Sequence, residues 1–67
     1  MKIDEIEIRG EVSKKESNDE ECVDYFLTAF EKTTIGRTLL KMGYICQDDE
    51  IEDESEKTFY VRIVYKK

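Results

Sequence analysis

The chain of 67 residues contains no histidine and no proline, and it has only two cysteines and three glycines. Without histidine, it lacks the commonest general base, nucleophile activator and metal ligand of proteins. It also has no glycine-rich phosphate loop and no metal-ligand spacing. These absences argue against an enzyme. The sequence predicts no catalytic residue, no cofactor and no dedicated metal site.

Two cysteines, Cys22 and Cys46, are too few for the disulfide framework of a small secreted domain. They predict a reduced, intracellular protein in which both thiols are small core residues. No apolar run approaches membrane-spanning length, and the N-terminal MKIDEIEIRG has no signal-peptide core. The sequence therefore predicts one domain over residues 1–67 in the cytoplasm, which is the host cytoplasm if a phage encodes the protein.

Charge is distributed unevenly along the chain. The net charge is −6, to which residues 1–47 contribute −3, residues 48–56 contribute −7 and residues 57–67 contribute +4. A chain of this kind repels nucleic acid and associates quickly with basic protein surfaces at low salt. The charge pattern predicts a basic protein partner, with no membrane and no direct nucleic-acid ligand.

Two segments show the alternation of a strand with one buried face. In residues 2–12 the side chains predicted to face the core are Ile6, Ile8 and Val12. Those predicted to face solvent are Glu5, Glu7, Arg9 and Glu11. In residues 57–67 the predicted core-facing side chains are Phe59, Val61, Ile63 and Tyr65. Those predicted to face the other way are Thr58, Tyr60, Arg62, Val64 and Lys66.

A helix is predicted over about residues 18–32. Its apolar stripe follows the i, i+3, i+4, i+7 spacing and consists of Val23, Phe26, Leu27 and Phe30, widened by Cys22, Tyr25 and Ala29. Ser17 and Glu20 have the spacing of a capping box, which would start this helix. Acidic residues follow in the first turns, where the helix dipole favours negative charge.

Two interpretations stay open for residues 33–43. As a helix over about 34–42, the segment has Thr33 or Thr34 as its N-cap and Gly43 as a left-handed stop. The apolar stripe of that helix is Ile35, Leu39 and Met42. As a strand, the segment alternates through Thr38, Leu40, Met42, Tyr44 and Cys46. The placement of Gly43 favours the helix, with a short strand at 44–47 after it.

Together these elements predict an α+β fold with the order β-α-(α)-β-β. It consists of a small three-stranded antiparallel sheet with one long helix (about 18–32) and a short second helix (about 34–42) over one face. The strand order and the oligomeric state, a homodimer included, stay open.

The acidic run is predicted to be a hairpin loop over residues 48–56. One interpretation is a solvated tip whose charges oppose edge-to-edge aggregation. The other is a partner-binding surface whose carboxylates, about 6–7 Å apart along an extended chain, approximate the phosphate spacing of a nucleic acid. The residues predicted to bind the partner in this way are Asp48, Asp49, Glu50, Glu52, Asp53, Glu54 and Glu56.

Two further groups are candidates for the same surface. Asp19, Glu20 and Glu21 would add a second acidic row if the helix start lies near the acidic run. Tyr60 and Arg62, on the solvent face of the last strand, would act as interface anchors. Cross-strand ion pairing on a wet sheet face is the alternative interpretation of that face.

Residues 33–67, TTIGRTLLKMGYICQDDEIEDESEKTFYVRIVYKK, resemble the end of a winged-helix domain. In that resemblance a helix reading IGRTLLKMGY is followed by two strands that form the wing. It implies a small DNA-binding regulator that enters the major groove with its helix. By position, the residues implied to face DNA are Thr34, Arg37, Thr38 and Lys41.

The whole chain is similar in character to the small acidic proteins of phages and mobile elements, among them anti-CRISPR proteins and other nucleic-acid mimics. The resemblance lies in size, charge, missing enzyme residues and the strand-helix-strand plan. It implies a phage-derived, non-enzymatic inhibitor or modulator. Its partner would be a host defence protein, such as a CRISPR-Cas effector or another nuclease, whose basic nucleic-acid-binding site the acidic surface occupies.

Overall fold

The computed structural model describes residues 4–67 and confirms the α+β class with the order β-α-α-β-β. The five elements are β1 (Glu5–Ser13), α1 (Cys22–Glu31), α2 (Thr34–Lys41), β2 (Ile45–Glu54) and β3 (Thr58–Lys66). The strands form one antiparallel sheet in the order β1-β3-β2, so β3 is central and β2 is an edge strand. Residues 2 and 3, with which the first predicted strand begins, lie outside the described residues.

The core lies between the sheet and the helices. The predicted inward side chains of β3 are all buried, and those of β1 are buried or packed against the core, so the two alternation patterns are confirmed. Gly10 lets α1 come close to β1, because a Cβ built there would lie 2.2 Å from Cε1 of Phe26. Of the residues predicted to face outward, Val64 is nevertheless buried, in register with Glu7 and Asp48.

Helix α1 begins at Cys22, later than predicted, and the capping box does not form. Asn18 takes that place instead: its Oδ1 accepts from the backbone N–H of Glu21 at 2.9 Å, and its carbonyl oxygen accepts from that of Cys22 at 3.0 Å. Asparagine side chains compete for backbone groups in this way and hold a turn ahead of a helix. The predicted apolar stripe packs against the core, but Tyr25 and Ala29, which were predicted to widen it, are exposed.

The helix interpretation of residues 34–42 is the correct one. Thr33 caps α2 by accepting from the backbone N–H of Gly36 at 3.0 Å. Gly43 has φ of 93°, and the backbone N–H of Tyr44 returns to the carbonyl of Leu39 at 3.0 Å, which closes the helix end.

The predicted apolar stripe of α2 is wrong in part, because α2 packs mainly against α1 and not on the sheet. Leu39 is buried, whereas Ile35 is 67% exposed and Met42 is 52% exposed.

Strand β2 corrects the prediction of a loop over 48–56. Residues 48–54 continue the strand, and the hairpin turn is confined to 55–57, where the backbone N–H of Ser55 donates to the carbonyl of Thr58 at 2.8 Å. The acidic composition argues against a strand locally. Pairing with β3 and cationic neighbours on the other strands override that preference. Two bulges, between Cys46 and Asp48 and between Ile51 and Asp53, adjust the register.

Neither helix in residues 4–67 has the length and apolar character needed to cross a membrane.

Candidate functional site

Arg62 lies at the centre of the sheet face that the helices leave open. Its Nε donates to Oε1 of Glu50 on β2 at 2.8 Å, while Nη1 reaches Glu7 on β1 at 3.4 Å and Nη2 reaches Asp48 on β2 at 3.5 Å. The hydrogen bond that Arg62 donates to Glu50 is the main cause that raises the pKa of Arg62. The Arg62 side chain is only 22% exposed. It is therefore engaged by carboxylates of its own chain.

Arg9 on β1 extends this arrangement into a network across all three strands. Its Nη2 lies 2.8 Å from Glu7, and its Nε lies 3.0 Å from Glu52 on β2. The network thus contains two guanidinium groups and four carboxylates, which leaves it a net charge of −2. Arg9 was not singled out as a site residue, although the alternation of β1 places it on this face. Of the two interpretations of the face, cross-strand ion pairing is what the geometry shows for Arg62.

The network also changes the interpretation of the acidic run. Arg62 and Arg9 contact the three carboxylates of the run that follow the i, i+2 spacing, namely Asp48, Glu50 and Glu52. Glu54 pairs with Lys14, a second counterion that sequence reasoning missed.

Three carboxylates of the run have no cation within 4.0 Å in residues 4–67: Asp49, Asp53 and Glu56. Asp49 lies opposite Ile63, and Oδ1 of Asp53 accepts from the backbone N–H of Glu54 at 2.8 Å. All three are exposed. We name the carboxylates of residues 48–56 the acidic edge.

The loop that precedes α1 lies beside the hairpin end of the acidic edge. The backbone N–H of Lys14 donates to the carbonyl of Lys57 at 2.9 Å, which joins the end of β1 to the hairpin turn. Burial is the first cause that raises the pKa of Cys22, and the charges of Asp19 and Glu54 raise it further. Sγ of Cys22 lies 3.8 Å from the backbone carbonyl oxygen of Asp19. Asp19, Glu20 and Glu21, the predicted second acidic row, are exposed in the turn before α1.

Tyr60 lies on β3 two residues before Arg62, with its ring on the open face. In the strand register it is opposite Glu11 on β1 and Asp53 on β2. Unlike the Arg62 row, the Tyr60 row combines an aromatic ring with two acidic neighbours. The predicted anchors Tyr60 and Arg62 thus share a face. Arg62 is already bound by carboxylates of its own chain, whereas Tyr60 lies between two acidic neighbours.

Both thiols lie in or beside the hydrophobic core. Cys22 is fully buried, Cys46 is half-buried, and neither is in a disulfide. Burial is the main cause that raises the pKa of each thiol, which keeps both neutral. Over residues 4–67, no group of three or more His, Cys, Asp or Glu side chains is placed to hold a metal ion.

A basic region lies at the end of the sheet opposite the hairpin turn. The residues that the winged-helix resemblance places on DNA, Thr34, Arg37, Thr38 and Lys41, are all exposed on α2. Nζ of Lys67 lies 5.6 Å from the ring centre of Tyr44, which follows α2. Exposed basic residues thus lie on α2 and at the end of β3, and exposed acidic residues lie along β2 and in the hairpin turn.

Comparisons with protein-family models, with curated proteins and with solved structures gave no match.

Proposed function

We propose that this protein is a non-enzymatic inhibitor or modulator that binds a protein partner through the acidic edge. In this proposal the acidic edge occupies a basic, nucleic-acid-binding surface of the partner. The observation that carries it is the position of the acidic run on an exposed edge strand and its hairpin turn. Asp49 and Asp53 on the strand and Glu56 in the turn have no cation in the described chain.

The strand makes the acidic edge a better binding surface than a loop would be. Main-chain pairing of β2 with β3 fixes the spacing of the carboxylates before the partner arrives. Less conformational entropy is then lost on binding. The internal ion pairs fix side-chain positions further, and the open-face network still keeps its excess negative charge. Such a surface raises the association rate with a basic partner and makes binding depend on salt.

The partner class follows from the surface and from the resemblance to small acidic phage proteins. A nucleic-acid-binding channel presents lysine and arginine spaced for phosphates, so it offers the charge that the acidic edge lacks. A CRISPR-Cas effector or another nuclease of the host is the kind of protein that has such a channel.

A capture experiment tests the proposal. The immobilised chain is incubated with nuclease-treated bacterial lysate at about 0.1 M salt, and bound proteins are eluted at about 0.5 M salt, where charge interactions are screened within a few ångströms. We expect nucleic-acid-binding proteins in the eluate, and we expect added duplex DNA or RNA to prevent their capture. Capture that neither salt nor nucleic acid reduces would contradict the proposal.

A second candidate is a small winged-helix-like DNA-binding regulator. It is supported by one arrangement: α2 is followed directly by the β2–β3 hairpin, and Arg37 and Lys41 are exposed on that helix without an ion pair in residues 4–67. A gel shift with random duplex DNA at about 0.05 M salt tests it, because phosphate contacts are strongest at low salt. Binding that the double variant Arg37→Glu, Lys41→Glu removes would favour this candidate over the first.

A further inference from the structure

A shallow recess of about 420 Å³ lies on the open sheet face beside the ion-pair network. It is lined by residues of all three strands: Arg9, Gly10 and Glu11 on β1, Glu52 and Asp53 on β2, and Tyr60 and Val61 on β3. The recess therefore combines one aromatic ring, three carboxylates and one cation.

The cation of the recess is already engaged. Arg9 contacts Glu52 through Nε at 3.0 Å and Glu7 through Nη2 at 2.8 Å. Glu11 has no polar partner within residues 4–67, and Asp53 uses one oxygen to accept from the backbone N–H of Glu54. The recess thus keeps two carboxylates without a cation on either side of Tyr60.

The strand register explains why this position differs from the rest of the face. Two residues further along β3, the central position is filled by Arg62, whose guanidinium supplies the charge for its acidic neighbours. At the Tyr60 position the central strand supplies an aromatic face and no charge. Glu11 and Asp53, which lie opposite it on the two edge strands, are left for an external cation.

We propose that the recess takes the guanidinium of an arginine side chain from a protein partner, stacked on Tyr60 and bound by Glu11 and Asp53. A guanidinium is planar, so it can lie on an aromatic ring while its edges donate to carboxylates on both sides. A lysine ammonium is a compact, more strongly hydrated charge with no planar face to stack on the ring, so it should bind more weakly there. The inference rests on the proposed function, since it names the group of the partner that the open face recognises.

The test uses the full chain labelled with ¹⁵N and two blocked tripeptides, acetyl-Gly-Arg-Gly-amide and its lysine counterpart. Amide shifts are followed by NMR during titration at about 0.05 M salt, where exposed charges still attract at about 10 Å. We expect the arginine peptide to shift the amides around Glu11, Asp53 and Tyr60. We also expect it to bind at least about threefold more tightly than the lysine peptide.

Three variants make the result specific. Tyr60→Leu keeps a bulky apolar side chain but removes the ring, and Glu11→Gln with Asp53→Asn keeps the shape but removes the charge. Each should abolish the preference for arginine. Tyr25→Leu is the matched control, because Tyr25 is an exposed tyrosine that also lies among acids, and it should leave the titration unchanged. Equal binding of both peptides, shifts centred on Tyr25, or no effect of Tyr60→Leu would overturn the inference.

The outcome can be separated from that of the proposed function. If Tyr60→Leu leaves the arginine preference intact while charge reversal at Asp49 and Glu56 abolishes partner capture, the recess fails and the proposed function stands. If Tyr60→Leu removes the arginine preference while that charge reversal leaves capture unchanged, the recess stands and the proposed role of the acidic edge fails.

Discussion

Arg62 on the central strand and Glu50 on the edge strand are opposite each other in the register and are joined by a hydrogen bond of 2.8 Å. This contact connects the fold with the candidate site. It supplies positive charge where β2 would otherwise place acidic side chains side by side. It thereby allows an acidic segment to remain a strand, and the remaining carboxylates are then presented at a fixed spacing.

Removal of the Arg62 charge should destabilise the sheet in a salt-dependent way. Arg62→Met keeps an apolar stem but leaves Glu7, Asp48, Glu50 and Glu52 with Arg9 as their single counterion within residues 4–67. We expect a lower denaturant midpoint at about 0.05 M salt and a smaller difference from the unchanged chain at about 1 M, because salt screens the repulsion. Urea unfolding at both salt concentrations measures this.

The matched control for that variant is Lys66→Met, on the same face of the same strand. Lys66 makes no ion pair with any residue between positions 4 and 67. It should change the midpoint little at either salt concentration. An equal loss for both variants, or a loss at Arg62 that salt does not reduce, would show that the network has no structural role.

Close packing at Gly10 gives a second prediction. In Gly10→Ala the new Cβ would lie 2.2 Å from Cε1 and 2.5 Å from Cζ of Phe26, so the ring must move. Overpacking of this kind costs about 1–3 kcal/mol of the free energy of unfolding. Denaturant unfolding should show that loss, and the double variant Gly10→Ala, Phe26→Leu should recover part of it. Stabilisation by the alanine alone would contradict the packing of α1 on β1.

The buried hydroxyl of Tyr65 gives a prediction for alkaline pH. Burial first, and then the hydrogen bond to Oε2 of Glu31 at 2.8 Å, raises the pKa of Tyr65. Because the folded chain holds this proton more tightly than the unfolded chain, stability is retained below the usual tyrosine pKa of about 10 and falls above it. Tyr65→Phe should lose about 1 kcal/mol at neutral pH for the hydrogen bond.

The same variant should also lose less stability than the unchanged chain when the pH rises from about 10 to about 11. Unfolding by denaturant at each pH measures both effects. Parallel decreases for the two proteins over that interval would show that Tyr65 does not titrate in the way that its burial implies.

The sequence predicts β1, β3 and the end of α2 well because their signals are local. Alternation fixes the inward faces of both strands, and Gly43 stops the helix through its own backbone. The start of α1 was predicted too early, since Ser17 and Glu20 match a capping box whereas Asn18 makes the bonds. Local patterns do not show which of two neighbouring polar residues accepts the hydrogen bonds from the backbone N–H groups.

The acidic edge was predicted to be a loop because acidic residues disfavour strands when only neighbours in sequence are considered. Its counterions, Arg62, Arg9 and Lys14, come from other elements and become visible only with the register. The strand register also shows that Tyr60 and Arg62 differ in their surroundings. Both had the same expected role, yet one is engaged by its own chain and the other faces two carboxylates that have no cation in the described chain.

In the proposed function, the position of the acidic charge, and not the total charge, determines binding to the partner. Two double variants test it: Asp49→Lys with Glu56→Lys on the acidic edge, and Asp4→Lys with Glu5→Lys at the start of β1. Each changes the net charge from −6 to −2. Affinity for the captured partner is then measured at about 0.1 M salt.

We expect the edge variant to bind at least about tenfold more weakly, which corresponds to about 1.4 kcal/mol, and the control to change less than about threefold. Both proteins must first unfold at similar denaturant concentrations, so that weaker binding does not reflect weaker folding. Equal losses in the two variants, or no loss in either, would contradict the account.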